Sequence, residues 1–236
     1  MFMLCYCNGS LARESVRDSL NKSLGVASSD WQHFDETTLS TPVASKSSSD
    51  SPSKIGVYFP LPEIIPNVQS GTWRFNYSDG KVRQTEEGWN IPADDVRAIL
   101  ESQALSMRMR SEALLKPEAG VNGGKTQPRR LYVVGGGSKN AAIASVMAGV
   151  IGGFEGVYKL DIGGNACALG AAYYATWALE RKQGEAFEDY VAERWDEEKQ
   201  VKRIGDAYQE GIWEEYGEIL KGFKMAEYEI VRKHHN

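Results

Sequence analysis

Cysteine is scarce in this chain of 236 residues, with three in all, at Cys5, Cys7 and Cys167. An odd count with a lone C-x-C provides no disulfide framework, and free thiols suit a reducing compartment. Histidine is equally sparse, at His33, His234 and His235. A zinc site needs about four convergent ligands, and no such set is spelled out here. Long hydrophobic runs are missing too: the most apolar stretch, 141–153, falls far short of the roughly 20 residues of a membrane span. The start MFMLCYCNGS has no basic leader and reads as a strand rather than a signal peptide. Excess positive charge is lacking, since the net charge is -5, which argues against a nucleic-acid binder. Three N-x-S sequons, at Asn8, Asn21 and Asn76, read as chance matches without an export signal. No internal repeat is evident. The expectation is a soluble, cytoplasmic protein with neither membrane nor nucleic acid as partner. At 42% hydrophobic it is long enough for one substantial core.

What is present is an alternation of strand and helix signals. LCYCNGSLARESVRDSL reads as strand, a tight turn at Asn8-Gly9, and a helix begun by Ser10. The segment 37–54, TTLSTPVASKSSSDSPSK, is Ser-rich and reads as a flexible surface insertion. KIGVYFPLPEIIP reads as a strand ending in a Pro-punctuated turn, and GTWRFNYSDGKVRQ as a hairpin around Asp79-Gly80. The clearest helix spans 92–115, with Pro92 in its first turn and Asp94 and Asp95 complementing its dipole. Val96, Leu100, Ala104, Met107 and Leu114 share one face of it. LYVVGGG is a buried strand running into glycine, followed by a small-residue helix over 139–152 and the strand GVYKLDI. NACALGAAYYATWALERK is a helix whose Ala/Gly first half can approach a neighbour closely. From residue 185 the chain is acidic, aromatic-dotted and helical to its end, a solvated tail docking through Trp and Tyr. This alternation points to an α/β fold.

The stretch LYVVGGGSKN, 131–140, is where chemistry concentrates. Glycine at a strand end lets backbone approach an anion, and the first free N–H groups of the following helix point at it. Ser138 is positioned to cap that helix, with Asn140 in its first turn turning its amide toward a ribose or phosphate. A plain helix-start turn packed under another element stays open on the residues alone. The dinucleotide fingerprint fails because Asn140 stands where its last glycine belongs, which disfavours an oxidoreductase. A Walker loop in AGVNGGKT, 119–126, fails because Ala119 replaces the first glycine and the segment follows a helix.

GGGSKN after a strand, then helix, strand and NACALGAAYYA, resembles the C-terminal domain of the FGGY carbohydrate kinases. Within that family the chain is most similar to xylulose kinases of the eukaryotic type, through LCYCNGSLARESVRD, IGVYFPLPEIIP, GTWRFNYSDGKV and VRAILESQALSMRMRSEAL. The resemblance implies an actin-like (ribonuclease-H-like) ATPase domain, incomplete, with a helical C-terminal tail. The implied organisation is a partial kinase domain over 1–184, interrupted by the insertion 37–54, and an acidic tail over 185–236. It implies transfer of the ATP γ-phosphoryl group to D-xylulose, with Mg²⁺ held by ATP, in a cleft shared with an N-terminal kinase domain. Gly136, Gly137 and Asn140 become the implied nucleotide contacts, with Gly135 and Ser138 beside them. The Ala/Gly run 166–172 resembles the helix packed behind that site. Asn8, Gly9 and Ser10 are a secondary element of the cleft, and a purely structural turn there is equally open. No catalytic residue is assigned, because Asp18, Asp30 and Asp161 match no family motif. The isolated chain is therefore expected to be the trailing portion of a kinase. A non-catalytic nucleotide-binding or regulatory module of the same fold is the alternative.

Overall fold

The computed structural model describes residues 3–115, 124–160, 162, 166–205 and 211–235. At its centre lies a long, largely buried helix. That helix, α3 (Ala93–Ser111), extends into a 3-10 turn over Glu112–Leu114, matching the expected span. It is buried nearly all round, not along one stripe: Val96, Ile99, Leu100, Ala104 and Leu105 lie inside, and so do Asp95, Glu101, Ser102 and Arg108. Leu114, expected on the buried face, is exposed because the 3-10 turn carries it past the core.

Before α3 come α1 (Gly9–Leu24) and α2 (Gln32–Ser40). Spacing by four puts Ala12, Val16 and Leu20 of α1 on one buried stripe, and Gly25 ends the helix in the left-handed conformation. An antiparallel sheet follows in the order β1 (Ser53–Phe59), β2 (Gly71–Ser78), β3 (Lys81–Gln84). Asp79 and Gly80 both take positive φ, 50° and 69°, closing the β2–β3 hairpin as the sequence predicts. Arg74 of β2 and Tyr58 of β1 both donate to Asp95 on α3, fastening sheet to helix.

The second half is a βαβ unit. β4 (Arg130–Val133) lies parallel to β5 (Gly156–Leu160), with α4 (Ala141–Ile151) as the crossover. Then come α5 (Ala166–Glu180), α6 (Phe187–Ala192), α7 (Glu197–Gln200), β6 (Val201–Gly205) and α8 (Ile212–His235). β6 pairs antiparallel with β5. The tail is therefore not helical throughout. Nor is it only a solvated appendage: α8 buries Tyr216, Ile219, Leu220, Phe223, Ala226 and Ile230 in the main core. Each large apolar side chain so buried contributes about 1.5–3 kcal/mol.

Three further expectations change. Residues 3–6 form no strand and pair with neither sheet. The Ser-rich segment is anchored rather than purely superficial: Thr38, Ala44 and Ser45 are buried, and the Ala44 N–H donates to Glu101 at 3.0 Å. Small side chains let the backbone come close to α3, where the carboxylate waits; Leu39, Ser40, Pro42 and 47–50 stay exposed. The Ala/Gly helix α5 does not pack into the core, and none of its residues is buried. Its contacts run through Tyr174 and Trp177 to Phe187 of α6, since small side chains offer little surface to hold. The segment 119–126, rejected above as a Walker loop, lies mostly outside the described residues.

Candidate functional site

The glycine turn stands at the C-terminal end of β4. Gly135 adopts φ 83°, ψ −158°, a region open to glycine alone, and this swings the chain from strand into a short 3-10 turn over Gly136–Lys139. Ser138 does not cap the helix. It is buried, and its hydroxyl donates back to the Gly135 carbonyl at 2.7 Å, stapling the turn shut. The extra 3-10 residues move the cap two positions on, to Asn140, whose backbone is extended and whose Oδ1 accepts from the Ile143 N–H at 2.9 Å. The Asn140 amide also donates to Asp35 Oδ1 of α2 at 2.6 Å. Burial raises the Asp35 carboxyl above its usual range, and the Asn140 hydrogen bond works against that.

Gly135 and Gly136 are exposed and Gly137 half-exposed, and a Cβ at any of them would meet nothing within 4 Å. The turn thus presents open backbone at the start of α4, where N–H groups lack helical partners. Beside it opens a cavity of about 510 Å³, lined among others by Ala141, Ser145 and Gly149 of α4 and by Pro42, Arg97 and Tyr216. Arg97 and Tyr216 there belong to a buried network: Glu101 accepts from both at 2.7 Å.

Asn8 behaves differently. It is 2% exposed, and its side chain donates to Leu61 O and Glu63 Oε2 and accepts from Leu61 N–H. Glu63 is buried without a cation; the N–H groups of Cys7, Asn8 and Ile64 hold it instead. Burial pushes the Glu63 carboxyl up, but these four donors outweigh it, and the net shift is below the usual range. Asn8 is therefore a brace for the loop after β1. Gly9 and Ser10 open α1, which begins one residue earlier than Ser10, and Gln103 holds the Gly9 carbonyl at 2.8 Å. A small cavity of about 60 Å³ lies beneath, lined by Asn8, Gly9, Arg13, Ser106 and Glu227 among others. Asn8 and Gly9 line that small cavity, whereas no residue of the glycine turn lines either of the two, so the fold does not merge the two segments into one pocket.

The remaining acids have local work. Asp18 pairs with Arg17 and Asp30 receives the Gln32 N–H, while Asp161 lies outside the described residues. Sequence reasoning missed Asp35 and Glu63. Neither sits in a motif, and only the tertiary approach of α2 to α4, and of the β1 loop to α1, reveals them. Among the described residues no group of three or more His, Cys, Asp or Glu is arranged for a metal ion, and no helix is long and apolar enough to cross a membrane.

Comparison with known proteins supplies a frame for this geometry. A sequence profile described as the FGGY family of carbohydrate kinases, C-terminal domain, matches residues 1–179. D-xylulose kinase A of Aspergillus niger is 52% identical over 237 residues, covering 99% of this chain and 41% of that protein. The protein named Probable D-xylulose kinase A in Aspergillus clavatus is likewise 52% identical over 237 residues, again covering 99% and 41%. The chain thus spans 41% of the length of these curated relatives. A crystal structure of xylulose kinase from Rhodospirillum rubrum superposes with a TM-score of 0.59 at 18% identity, over 98% of this chain and 40% of that one. At that identity the likeness speaks for the fold.

Proposed function

This chain belongs to the FGGY family of carbohydrate kinases, and from that premise we propose that it forms the nucleotide-binding part of an ATP-dependent sugar kinase. The whole protein would transfer the γ-phosphoryl group of ATP to D-xylulose, giving D-xylulose 5-phosphate. The names of its fungal relatives support that sugar. One observation carries the nucleotide reading: an open glycine turn at a strand end, stapled by Ser138 and feeding a helix capped by Asn140. Gly136 and Gly137 have uncrowded backbone whose N–H groups are proposed to meet an anion, and Gly135 supplies the bend between strand and turn. Mg²⁺ is proposed to travel with the ATP phosphates, not in a protein cage.

The turn at Asn8, Gly9 and Ser10 is proposed as a second wall of the cleft, with Asn8 acting through its brace on the loop. We assign no catalytic base in this chain. Phosphoryl transfer needs a base, metal and both substrates in line; most sugar contacts are proposed to lie in an N-terminal domain, and the base in a segment of the kinase domain outside this chain. A kinase domain over 1–184 with a packed tail over 185–236, and a cytoplasmic location, complete the proposal. The test is to extend the chain to the length of its relatives and assay a sugar panel by coupled ADP release. D-xylulose should be preferred, and a preference for glycerol would overturn the sugar assignment.

A further inference from the structure

Asp35 sits on a helix that no sequence motif marked, and its carboxylate meets the candidate turn from the side. Phe34 and Thr38, both buried, fix α2 in place, so Asp35 is held and not free to swing away. Its Oδ1 accepts from Asn140 Nδ2 at 2.6 Å, while Asn140 Oδ1 is taken by the Ile143 N–H at 2.9 Å. The amide orientation is thereby set, with its carbonyl toward the helix and its NH₂ toward Asp35. Nδ2 carries two hydrogens, and one remains to donate. Among the described residues, Asp35 Oδ2 has neither a hydrogen-bond donor nor a cation.

Resting on the nucleotide reading of this turn, we propose that Asp35 and Asn140 together bind the ribose hydroxyls of the nucleotide, and that Asp35 makes the site select ribonucleotides over deoxyribonucleotides. A fixed acceptor beside a fixed donor is the complement of a vicinal diol, in which each hydroxyl both gives and takes a hydrogen bond. A carboxylate near a glycine turn reads ribose in this way in dinucleotide-binding folds. Phosphate is the wrong occupant for this spot, because two anions in contact repel. Asp35 therefore directs the phosphates toward the N–H groups of Gly136 and Gly137 and leaves the sugar at Asn140.

The experiment is ligand-observed NMR on this chain with ATP, 2′-deoxy-ATP and 3′-deoxy-ATP at millimolar concentration. The chain should bind ATP about tenfold more tightly than either deoxy analogue, the value of one hydrogen bond to a charged acceptor. Asp35→Ala should bind ATP about tenfold more weakly and lose most of its preference over the deoxy analogues. Asp35→Asn keeps an oxygen for the Asn140 amide, so it should hold that side-chain resonance in place while losing the preference. That variant separates ribose reading from a disturbed turn. ATP binding without ribose preference, or an equal loss of all three nucleotides in Asp35→Ala, overturns this proposal and leaves the nucleotide reading standing. No binding of any of the three overturns both.

Discussion

Replacing Tyr216 by Phe tests whether the C-terminal helix is one cooperative unit with the kinase core. The ring is fully buried, and its hydroxyl donates to Glu101 Oε1 at 2.7 Å and accepts from Arg97 Nη2 at 2.9 Å. Phe fills the same apolar space, so no cavity term enters. Hydrogen bonds to charged groups are worth about 1.5–3 kcal/mol each. The two losses do not simply add, because Arg97 and Glu101 remain paired at 2.7 Å. The expected destabilisation is about 2 kcal/mol, or roughly 4–8 °C in melting temperature for a chain of this size. Urea unfolding followed by circular dichroism at neutral pH reads it directly. Burial, with Glu101 alongside, raises the Tyr216 hydroxyl well above its usual value. The folded state then favours neutral Tyr216, so that stability is complete below about pH 10 and declines as pH rises beyond it. The Phe variant should show a shallower alkaline decline, because the buried Tyr58, also raised well above its usual value, keeps its own share. A loss under about 0.5 kcal/mol with the alkaline limb unchanged would show that the network does not tie α8 to the core.

Other outcomes follow from particular residues. Gly135→Ala should lower stability by about 1–3 kcal/mol through backbone strain alone, since φ is 83° and no atom crowds the site. Gly136→Val, which has room and no strain, should leave the melting temperature unchanged and weaken ATP binding; the reverse pattern would refute the assignment of the turn. Glu63 lies below the usual carboxylate range when folded, so its stabilisation is present above about pH 4.3 and lost as pH falls. Glu63→Gln should therefore flatten the melting-temperature profile between about pH 5 and 3, and an unchanged profile would refute the brace. The chain alone should release no ADP in a D-xylulose-dependent manner, and sugar-dependent release would show that a base is present. Tyr132 and Val134, at 46% and 48% exposed beside the edge strand β4, should promote self-association, which a single monomer peak in size-exclusion chromatography would contradict.

The hairpin, α3, the βαβ unit and the glycine turn were legible because each depends on neighbours in the chain. Asp79-Gly80 can take positive φ at consecutive positions, and glycine at 135 permits a bend that other residues resist. The cap was misread by two residues, because Ser138 and Asn140 are both good caps. The choice fell to whether the 3-10 turn formed before the helix. Composition misled at 37–54, where low hydrophobicity suggested exposure. Ala44 and Ser45 go inside because Glu101, some 57 residues away in sequence, offers an acceptor there. The Ala/Gly pattern of α5 announced close packing, but whether a neighbour is present is not a property of the pattern.

By itself the sequence determined much of the local vocabulary: the β2–β3 hairpin, the span of α3, and where glycine must bend the backbone. Periodicity, φ preference and side-chain volume act over a few residues, and they hold whatever the rest of the chain does. Tertiary structure alone decided which distant groups meet. Asp35 reached Asn140, Glu63 took up Asn8, and Tyr216 closed over Arg97 and Glu101 only once helices and sheet had packed. A carboxylate written into a sequence could be solvated, capping or catalytic. Its partners, its burial and so its chemistry come from the core that excludes water around it.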